Sequence, residues 1–469
     1  MISRAKESVE RFADFSCEDT IVAISTPPGP GAIGMVRISG PDARSVGEKV
    51  FTPASPGKTP FPPRKALFGL AHESGMASDP IDQGVLTFFN QPRTYTGEDM
   101  VEVTLHGGPL ILGTFLGAVL MAGARLADPG EFTRRAFLNG RMDLSQAEAV
   151  AGLVFAATDQ ARKVMLRQVD GAMGRETAFL RERLLEIKVL LEASIDFPEE
   201  MEEKEEERVK ALLGGVLEET ERLLGTSKTG IALREGFRVV IIGAPNVGKS
   251  SLLNALLQEE RAIVHEMEGT TRDYIEGSIS IGGIPVRVID TAGIRISEDA
   301  LEKEGVRRTR DLIDRADALL VVLDGSRPLF PEEKTLLEET RGIIRVIAAN
   351  KEDLAAHHGF TCPAGAVRVS ALRKRGIEEL KAALQKAFLG GAPELDPEKG
   401  VVTTVRQTEA VRKIREGCAK AAQAFRDIGW AELAAVGVDE ALTALKELSG
   451  EVTTEEVLRE IFDRFCIGK

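Results

Sequence analysis

The segment Gly243-Ala244-Pro245-Asn246-Val247-Gly248-Lys249-Ser250 follows a short apolar run, Phe237 to Ile242, and precedes a stretch with helical spacing. A G-x-x-x-x-G-K-[ST] spacing between a strand and a helix confines the surrounding chain to an α/β sheet with a phosphate cradle at a strand end. Glycine lets backbone amides point at phosphate oxygens, Lys249 neutralises β- and γ-phosphate charge, and the Ser250 hydroxyl can ligate magnesium. A chance Gly-rich turn would have to meet four fixed positions in the right strand-loop-helix setting. Val286 to Ile289, Ala318 to Leu323 and Arg345 to Ala348 are further short apolar runs alternating with helical segments, the pattern of buried parallel strands.

Three more motifs follow in order. Asp290-Thr291-Ala292-Gly293 ends the run Val286 to Ile289, where a carboxylate can hold a magnesium shell and a glycine amide can sense the γ-phosphate. Gly269-Thr270-Thr271-Arg272-Asp273 lies between this motif and the cradle, with Thr271 as the second magnesium hydroxyl. In Asn350-Lys351-Glu352-Asp353, Asp353 can accept from the ring N–H and exocyclic amine of guanine, a pairing adenine does not offer. Ser370-Ala371-Leu372, after Ala366 to Val369, is placed to give a backbone amide to the guanine carbonyl. Each motif is weak alone; in this order they describe a switch GTPase. The residue after D-x-x-G is Ile294, which cannot orient water as a glutamine there would. Glu298, Asp299, Glu302 and Glu304 are the nearby acids, and spacing alone does not choose among them.

A chain of 469 residues exceeds one core, so several domains are expected. Thr20 to Gly123 carries β-rich runs (Thr20 to Ser25, Ala32 to Ile38, Val85 to Phe89, Val101 to Leu105) and reads as an α+β domain, with the four-proline stretch Ser55 to Arg64 as a surface loop. Asp143 and Gln146 match a capping box ahead of a long helical run, Leu144 toward Ile195. The acidic run Glu199 to Glu207 reads as a solvated helix face or charged connection. The α/β unit closes near Leu389, and Gly390 to Pro393 reads as a linker. Helical spacing returns over Thr404 to Phe425, Glu432 to Leu448 and Thr454 to Phe465, the last opened by a Thr453/Glu456 capping box. Helices on both sides of an α/β unit suggest one helical domain interrupted by an insertion, although two separate helical domains would give the same pattern.

A net charge of -13 argues against a general nucleic-acid binder, so an RNA substrate would need a local patch or a partner to hold it. Cys17, Cys362, Cys418 and Cys466 show neither disulfide-framework nor zinc spacing, and the first three are expected to be free thiols. The amino terminus lacks a secretory pattern and no apolar run spans a bilayer, so a cytoplasmic address is expected.

These motifs, together with T-P-P-G-P-G-A-I-G-M-V-R-I-S-G (Thr26 to Gly40), Y-T-G-E-D (Tyr95 to Asp99), P-G-E-F-T-R-R-A-F-L-N-G-R-M-D-L (Pro129 to Leu144) and the terminal Phe465-Cys466-Ile467-Gly468-Lys469, resemble the MnmE (TrmE) family from about Thr20 to Lys469. The terminal F-C-I-G-K is the most specific of them. The resemblance implies a multidomain chain. An α+β folate-binding and dimerisation domain spans 20–137, a helical domain 138–234 and 392–469, and an inserted α/β P-loop GTPase domain 235–391, with 1–19 as an extension of unknown role. It also implies a homodimer working with an FAD-dependent MnmG-like protein, which would hold much of the tRNA. Together they would modify the wobble uridine of certain tRNAs with a tetrahydrofolate one-carbon unit.

Carried over residue by residue, the folate contacts are Arg37, Glu98, Arg141 and Lys469. A carboxylate suits the donor edge of a pterin, and cations suit an anionic tail. Cys466 is the functional thiol, either a nucleophile or a packing residue beside the folate. Glu302 becomes the water-positioning acid, acting with Lys249, Thr270 and Thr271. Potassium falls to Asn246, His265, Met267 and Thr270, and magnesium to Ser250 and Thr271. The whole implied nucleotide set is Asn246, Val247, Gly248, Lys249, Ser250, Ser251, His265, Glu266, Met267, Glu268, Gly269, Thr270, Thr271, Asp290, Thr291, Ala292, Gly293, Asn350, Lys351, Asp353, Ser370, Ala371 and Leu372. His265 departs from the small hydroxyl residue that relatives often carry, a change that a backbone carbonyl ligand survives. The competing reading is an RNA-binding ribosome-assembly GTPase of the Era or Der type. Such proteins carry a KH-like domain or a second P-loop, and this sequence has neither a G-x-x-G loop in that setting nor a second cradle.

Overall fold

In the computed structural model, the described residues are 18–55, 57, 59–73, 79–197, 203–259, 275–290, 312–313, 316–354, 360–390, 395–396, 398–427 and 431–469. They fall into two compact units, one formed by the chain up to Ala151 with Lys446–Lys469, the other by Gly152–Leu445.

The first unit is built on a seven-stranded sheet in the order β3-β4-β5-β6-β2-β1-β7. Its strands are β1 (Ile21–Ile24), β2 (Gly31–Ser39), β3 (Phe51–Pro53), β4 (Ala66–His72), β5 (Pro80–Phe89), β6 (Met100–Gly107) and β7 (Arg125–Leu126). The alternation Val36, Ile38 on β2 and Val101, Val103, Leu105 on β6 turns one sheet face into the core. Helices α1 (Ala43–Val50) and α2 (Pro109–Met121) cover that face through Val46, Val50, Leu112, Phe115 and Val119. The opposite face of β2 presents Arg37 and Ser39, and its neighbour β1 presents Ile21 and Ala23 to Phe132 of α3 (Glu131–Leu138).

The proline-rich stretch 55–64 is not the plain surface loop its composition suggests. Phe61 is fully buried in the sheet core, its amide donates to Glu48 Oε1 at 3.0 Å and its carbonyl accepts from Arg44 Nη2 at 2.9 Å. One aromatic side chain outweighs four prolines here, because burying a large ring stabilises more than an unordered loop gains in entropy.

The second unit joins a helical bundle to an α/β sheet. The long helical run expected from Leu144 is three helices, α4 (Leu144–Val154), α5 (Asp159–Val169) and α6 (Ala172–Asp196). The Asp143/Gln146 capping box is present, with reciprocal bonds of 2.8 and 3.0 Å. Breaks follow where the Thr158 side chain caps α5 and where Gly171 takes φ 82°, both local backbone signals that helix propensity overrode in the sequence reading. In α6, Leu180, Leu184, Ile187 and Leu191 are buried at helical spacing, as are Val209, Leu212, Val216 and Leu223 on α7 (Glu203–Glu235).

Beyond the sheet, α11 (Val405–Asp427) returns to pack on α7, and the Val402 amide donates to Thr226 Oγ1 at 3.0 Å. Helices from before and after the α/β segment therefore pack into one bundle. Gly230 is required at this seam, since a Cβ there would lie 2.1 Å from the Val402 carbonyl. α12 (Ala431–Ser449) and α13 (Glu455–Phe462) complete the chain. The cap of α13 is Thr454, whose hydroxyl accepts from the Val457 amide, and not Thr453 as its spacing from Glu456 suggested.

The inserted sheet has the order β13-β12-β11-β8-β10-β9. Its strands are β8 (Phe237–Ile242), β9 (Ile275–Ile281), β10 (Ile284–Asp290), β11 (Ala318–Asp324), β12 (Arg345–Asn350) and β13 (Val367–Arg368). All are parallel except β9, which runs antiparallel to β10. Every residue of β11 is buried because both sheet faces are covered. Val239, Ile241, Leu320 and Val322 face α8 (Lys249–Glu259) and α10 (Ile377–Leu389), while Val240, Ile242, Leu319 and Val321 face α9 (Pro331–Glu339).

Candidate functional site

The phosphate cradle leaves β8 at its carboxyl end and runs into the amino terminus of α8, where unsatisfied amides and the helix dipole favour an anion. Gly243 takes φ 152° and Gly248 φ 97°, and a Cβ would lie 2.3 Å from the Val322 carbonyl at the first and 2.3 Å from Asn350 Nδ2 at the second. Side-chain-free backbone is thus a requirement of this loop, which fits an anion approaching its amides. Lys249 Nζ donates to the Gly243 and Ala244 carbonyls at 2.9 Å each, holding the ammonium over the loop. Asn246 is exposed and left-handed, with φ 62°, a conformation asparagine tolerates better than most residues. Val247 is buried beneath the loop, and Ser250 and Ser251 are exposed in the first turn of α8.

Asn350, at the end of β12, ties two loops together: its Nδ2 donates to the Val247 carbonyl at 2.9 Å and its Oδ1 accepts from the Ala371 amide at 3.0 Å. Its role here is therefore architectural, linking the cradle to the 370–372 turn. Lys351 is left-handed at φ 68° and its ammonium lies 2.7 Å from Asp324 Oδ2. Burial works against ionisation of Asp324, yet Lys351 and Ser326 hold its carboxyl below the usual range. The Ser370 hydroxyl donates to Asp353 Oδ1, which keeps that exposed carboxyl below the usual range. Ser370 Oγ in turn accepts from the Arg373 amide at 3.1 Å, and Leu372 is exposed. Asp290 ends β10 beside β8, as its motif requires.

His265, Glu266, Met267, Glu268, Gly269, Thr270, Thr271, Thr291, Ala292, Gly293 and Glu302 lie outside the described residues, as does Cys17. Among the described residues no cluster of His, Cys, Asp or Glu could hold a metal ion by itself.

A second site lies on the open face of the first unit's sheet. Arg37 sits opposite Glu102 in the β2–β6 register, and its Nη2 lies 2.8 Å from Glu102 Oε1. The guanidinium carbon is 5.7 Å from the ring centres of both Tyr95 and Phe132. The terminal tail reaches this place through Gly468, whose φ is 94° and whose Cβ, if present, would lie 2.5 Å from the Ile24 carbonyl. The Gly468 carbonyl accepts from Ser25 Oγ at 3.1 Å and from Arg37 Nη1 at 3.4 Å. Burial, and then the neighbouring Arg37, push the Lys469 ammonium below its usual range. Arg141 Nε donates to the Thr94 carbonyl at 3.0 Å, and its side chain packs against Gly97, one residue before Glu98. Glu98 Oε2 accepts from Ser39 Oγ at 2.8 Å. Arg37, Glu98, Arg141 and Lys469, dispersed in sequence, are thus gathered around β2, the 94–98 turn and the tail. Cys466 is exposed, whereas Cys418 is buried and its thiol is pushed up to about 12 by that burial.

Sequence reasoning missed Arg135. It is fully buried and bonds to Glu98, Glu131 and Asp19. The signal was present in the i, i+4 pair Glu131/Arg135, which shares a helix face with Phe132 and Leu138.

Comparison with known proteins gives matching family models for both parts of the chain. One described as "GTP-binding protein TrmE N-terminus" matches 20–141, and one described as "MnmE helical domain" matches 144–466. Similar proteins include the tRNA modification GTPase MnmE of Aquifex aeolicus, 44% identical over 96% of this chain and 100% of its own length. The protein of the same name from Symbiobacterium thermophilum is also 44% identical with the same coverage, and that of Moorella thermoacetica is 41% identical, again over 96% and 100%. None of the helices among the described residues is long and apolar enough to cross a membrane.

Proposed function

The chain belongs to the MnmE (TrmE) family of tRNA modification GTPases, and from that membership we propose how its two sites divide the work. GTP hydrolysis at the P-loop accompanies, with an FAD-containing partner, the addition of a carboxymethylaminomethyl- or aminomethyl-type group to the wobble uridine of certain tRNAs. The chain acts as a homodimer in the cytoplasm, and the partner holds much of the tRNA. The observation that carries the reading is the docking of the terminal tail through Gly468 beside Arg37, which brings Lys469 to the same sheet face as Glu98.

The donor chemistry at each site fits its ligand. At the P-loop, Lys249 and the amides around Gly248 receive the phosphates, Ser250 and Thr271 hold magnesium, and Asp353 reads the base. Asn246, exposed on the loop, contributes with His265, Met267 and Thr270 to a potassium site. Bound cations there supply positive charge to the phosphates. On the sheet face, Glu98 accepts from the pterin donor edge while Arg37, Arg141 and Lys469 face the anionic remainder. Bound tetrahydrofolate supplies the one-carbon unit.

Arg37→Ala, Glu98→Ala and removal of Lys469 are each expected to lower affinity for formyl-tetrahydrofolate roughly tenfold or more, because a hydrogen bond to a charged group contributes about 1.5 to 3 kcal/mol. GTP affinity, measured in parallel, should change little, since the two sets of residues belong to different compact units. Unaltered folate binding in all three variants would refute these contacts. The wider function is tested by analysing wobble-uridine nucleosides in tRNA from cells lacking the chain. An unchanged profile would overturn it. An assembly GTPase of the Era or Der type would leave that profile intact, and formyl-tetrahydrofolate would not raise its melting temperature.

A further inference from the structure

Glu98 can offer both oxygens to a pterin donor edge only if something aims it and keeps it ionised. From α3, Arg135 Nη1 donates to both Glu98 oxygens at 3.3 Å and to the Asp19 carbonyl at 2.8 Å. Its Nη2 donates to Asp19 Oδ1 at 2.7 Å and to Glu131 Oε1 at 2.9 Å. From β7, Arg125 bonds to Asp19 Oδ2 and grips both Glu131 oxygens, at 2.6 and 2.8 Å. Two guanidinium groups are therefore shared among three carboxylates, Glu98, Asp19 and Glu131. Of the other cations here, Arg134 Nη2 lies 3.9 Å from Glu131 Oε1, Arg37 pairs with Glu102, Arg141 donates to the Thr94 carbonyl, and Lys469 lies near enough to Arg37 to feel its charge.

The hydroxyls around Glu98 add direction. Ser39 Oγ lies 2.8 Å from Glu98 Oε2 and 2.7 Å from Thr96 Oγ1. Ser39 has one proton, so when it donates to Glu98 it accepts from Thr96. The chain Thr96 to Ser39 to Glu98 thus ends on a carboxylate. Asp19 stands just outside the family match that begins at residue 20, so that match does not account for it.

We propose that Arg135 and Asp19 act as a positioning pair for Glu98, Arg135 aiming the carboxylate at a pterin-class ligand and Asp19 competing for the same guanidinium. The proposal rests on the folate reading of this face. Its signature is a pair of opposite shifts. Burial, opposed by Arg135 and reinforced by Asp19, raises the Glu98 carboxyl above its usual range. A ligand that needs the ionised form is lost as pH falls through that value. Arg135→Gln removes the opposing cation and moves the midpoint of binding to higher pH. Asp19→Asn removes the neighbouring anion and frees donors of Arg135, so it moves the midpoint to lower pH.

The experiment is a calorimetric titration of the full chain with 5-formyl-tetrahydrofolate across the acidic and neutral range, with a thermal melt of each variant. At neutral pH, Arg135→Gln is expected to bind roughly tenfold more weakly. If loss of a buried cation prevents folding of that variant, Asp19→Asn decides alone, since Asp19 is half exposed. An upward move in Arg135→Gln with a downward move in Asp19→Asn, or, where Arg135→Gln does not fold, the downward move in Asp19→Asn alone, would support the pair. Midpoints that stay in place or move the same way, or an unmoved or raised midpoint in Asp19→Asn when it decides alone, would overturn it while leaving the folate reading intact. No binding by the unaltered chain would overturn the folate reading, and the pair with it.

Discussion

Glu302→Ala is expected to abolish GTP turnover while leaving nucleotide affinity nearly unchanged, and the unaltered chain is expected to turn over much faster in potassium than in sodium. Both follow from what the site lacks. Ile294 stands where many GTPases place the glutamine that orients water, and no arginine finger is identifiable in the sequence. Phosphoryl transfer still needs positive charge near the bridging oxygens, and a finger typically contributes a factor of about a thousand or more. The proposed replacement for that charge is a cation held in part by Asn246, which is exposed on the loop with a left-handed backbone. Asparagine also suits a plain turn, so the distinction has to come from rates. Steady-state hydrolysis in the two chlorides at equal ionic strength, beside binding of a fluorescent GTP analogue, separates the possibilities. A transition-state mimic should also pair two GTPase domains only when potassium is present. Equal rates in the two salts would dispose of the cation. Full activity in Glu302→Ala would return the water-positioning role to Glu298, Asp299 or Glu304.

What the sequence made legible followed from how local each cause was. β11 could be read directly because its first six positions, Ala318 to Leu323, are all apolar, as a strand covered on both faces demands. β9 could not, since Ile-Glu-Gly-Ser-Ile-Ser-Ile resembles an irregular polar segment until its antiparallel pairing with β10 is known. Phe61 looked like loop because prolines dominate its neighbours, and only the core cavity it fills explains its burial. The same division holds at the sites. The cradle was visible because its eight positions are contiguous, and Asp353 because it ends a four-residue motif. Arg135 was hidden beside Arg134: two adjacent arginines look alike until the helix face is known, and one is fully buried among carboxylates whereas the other is not. The proposed folate contacts needed family resemblance, because the link from Arg37 to Gly468 crosses 431 positions and no periodicity spans such a gap.

Asp353→Asn is expected to weaken GTP on the order of a hundredfold or more and to let xanthosine triphosphate take its place, since a site built to hydrogen-bond a base edge discriminates strongly against a mismatched partner. The neighbouring hydroxyl makes the direction of this switch specific. Ser370 Oγ accepts from the Arg373 amide at 3.1 Å and donates to Asp353 Oδ1, so its proton is committed toward residue 353. An asparagine there satisfies Ser370 with its amide oxygen, which places its NH2 where the second carboxylate oxygen was. Guanine offers N–H groups to that position, and donor would meet donor. Xanthine carries a carbonyl where guanine has its exocyclic amine, and that carbonyl can accept. The same bond from Ser370 holds the native carboxyl below its usual range, so base reading by the unaltered chain should persist to lower pH than an ordinary aspartate would allow. Competition binding of the two triphosphates to both proteins provides the measurement. A variant that keeps its preference for GTP would show that some group other than Asp353 reads the base.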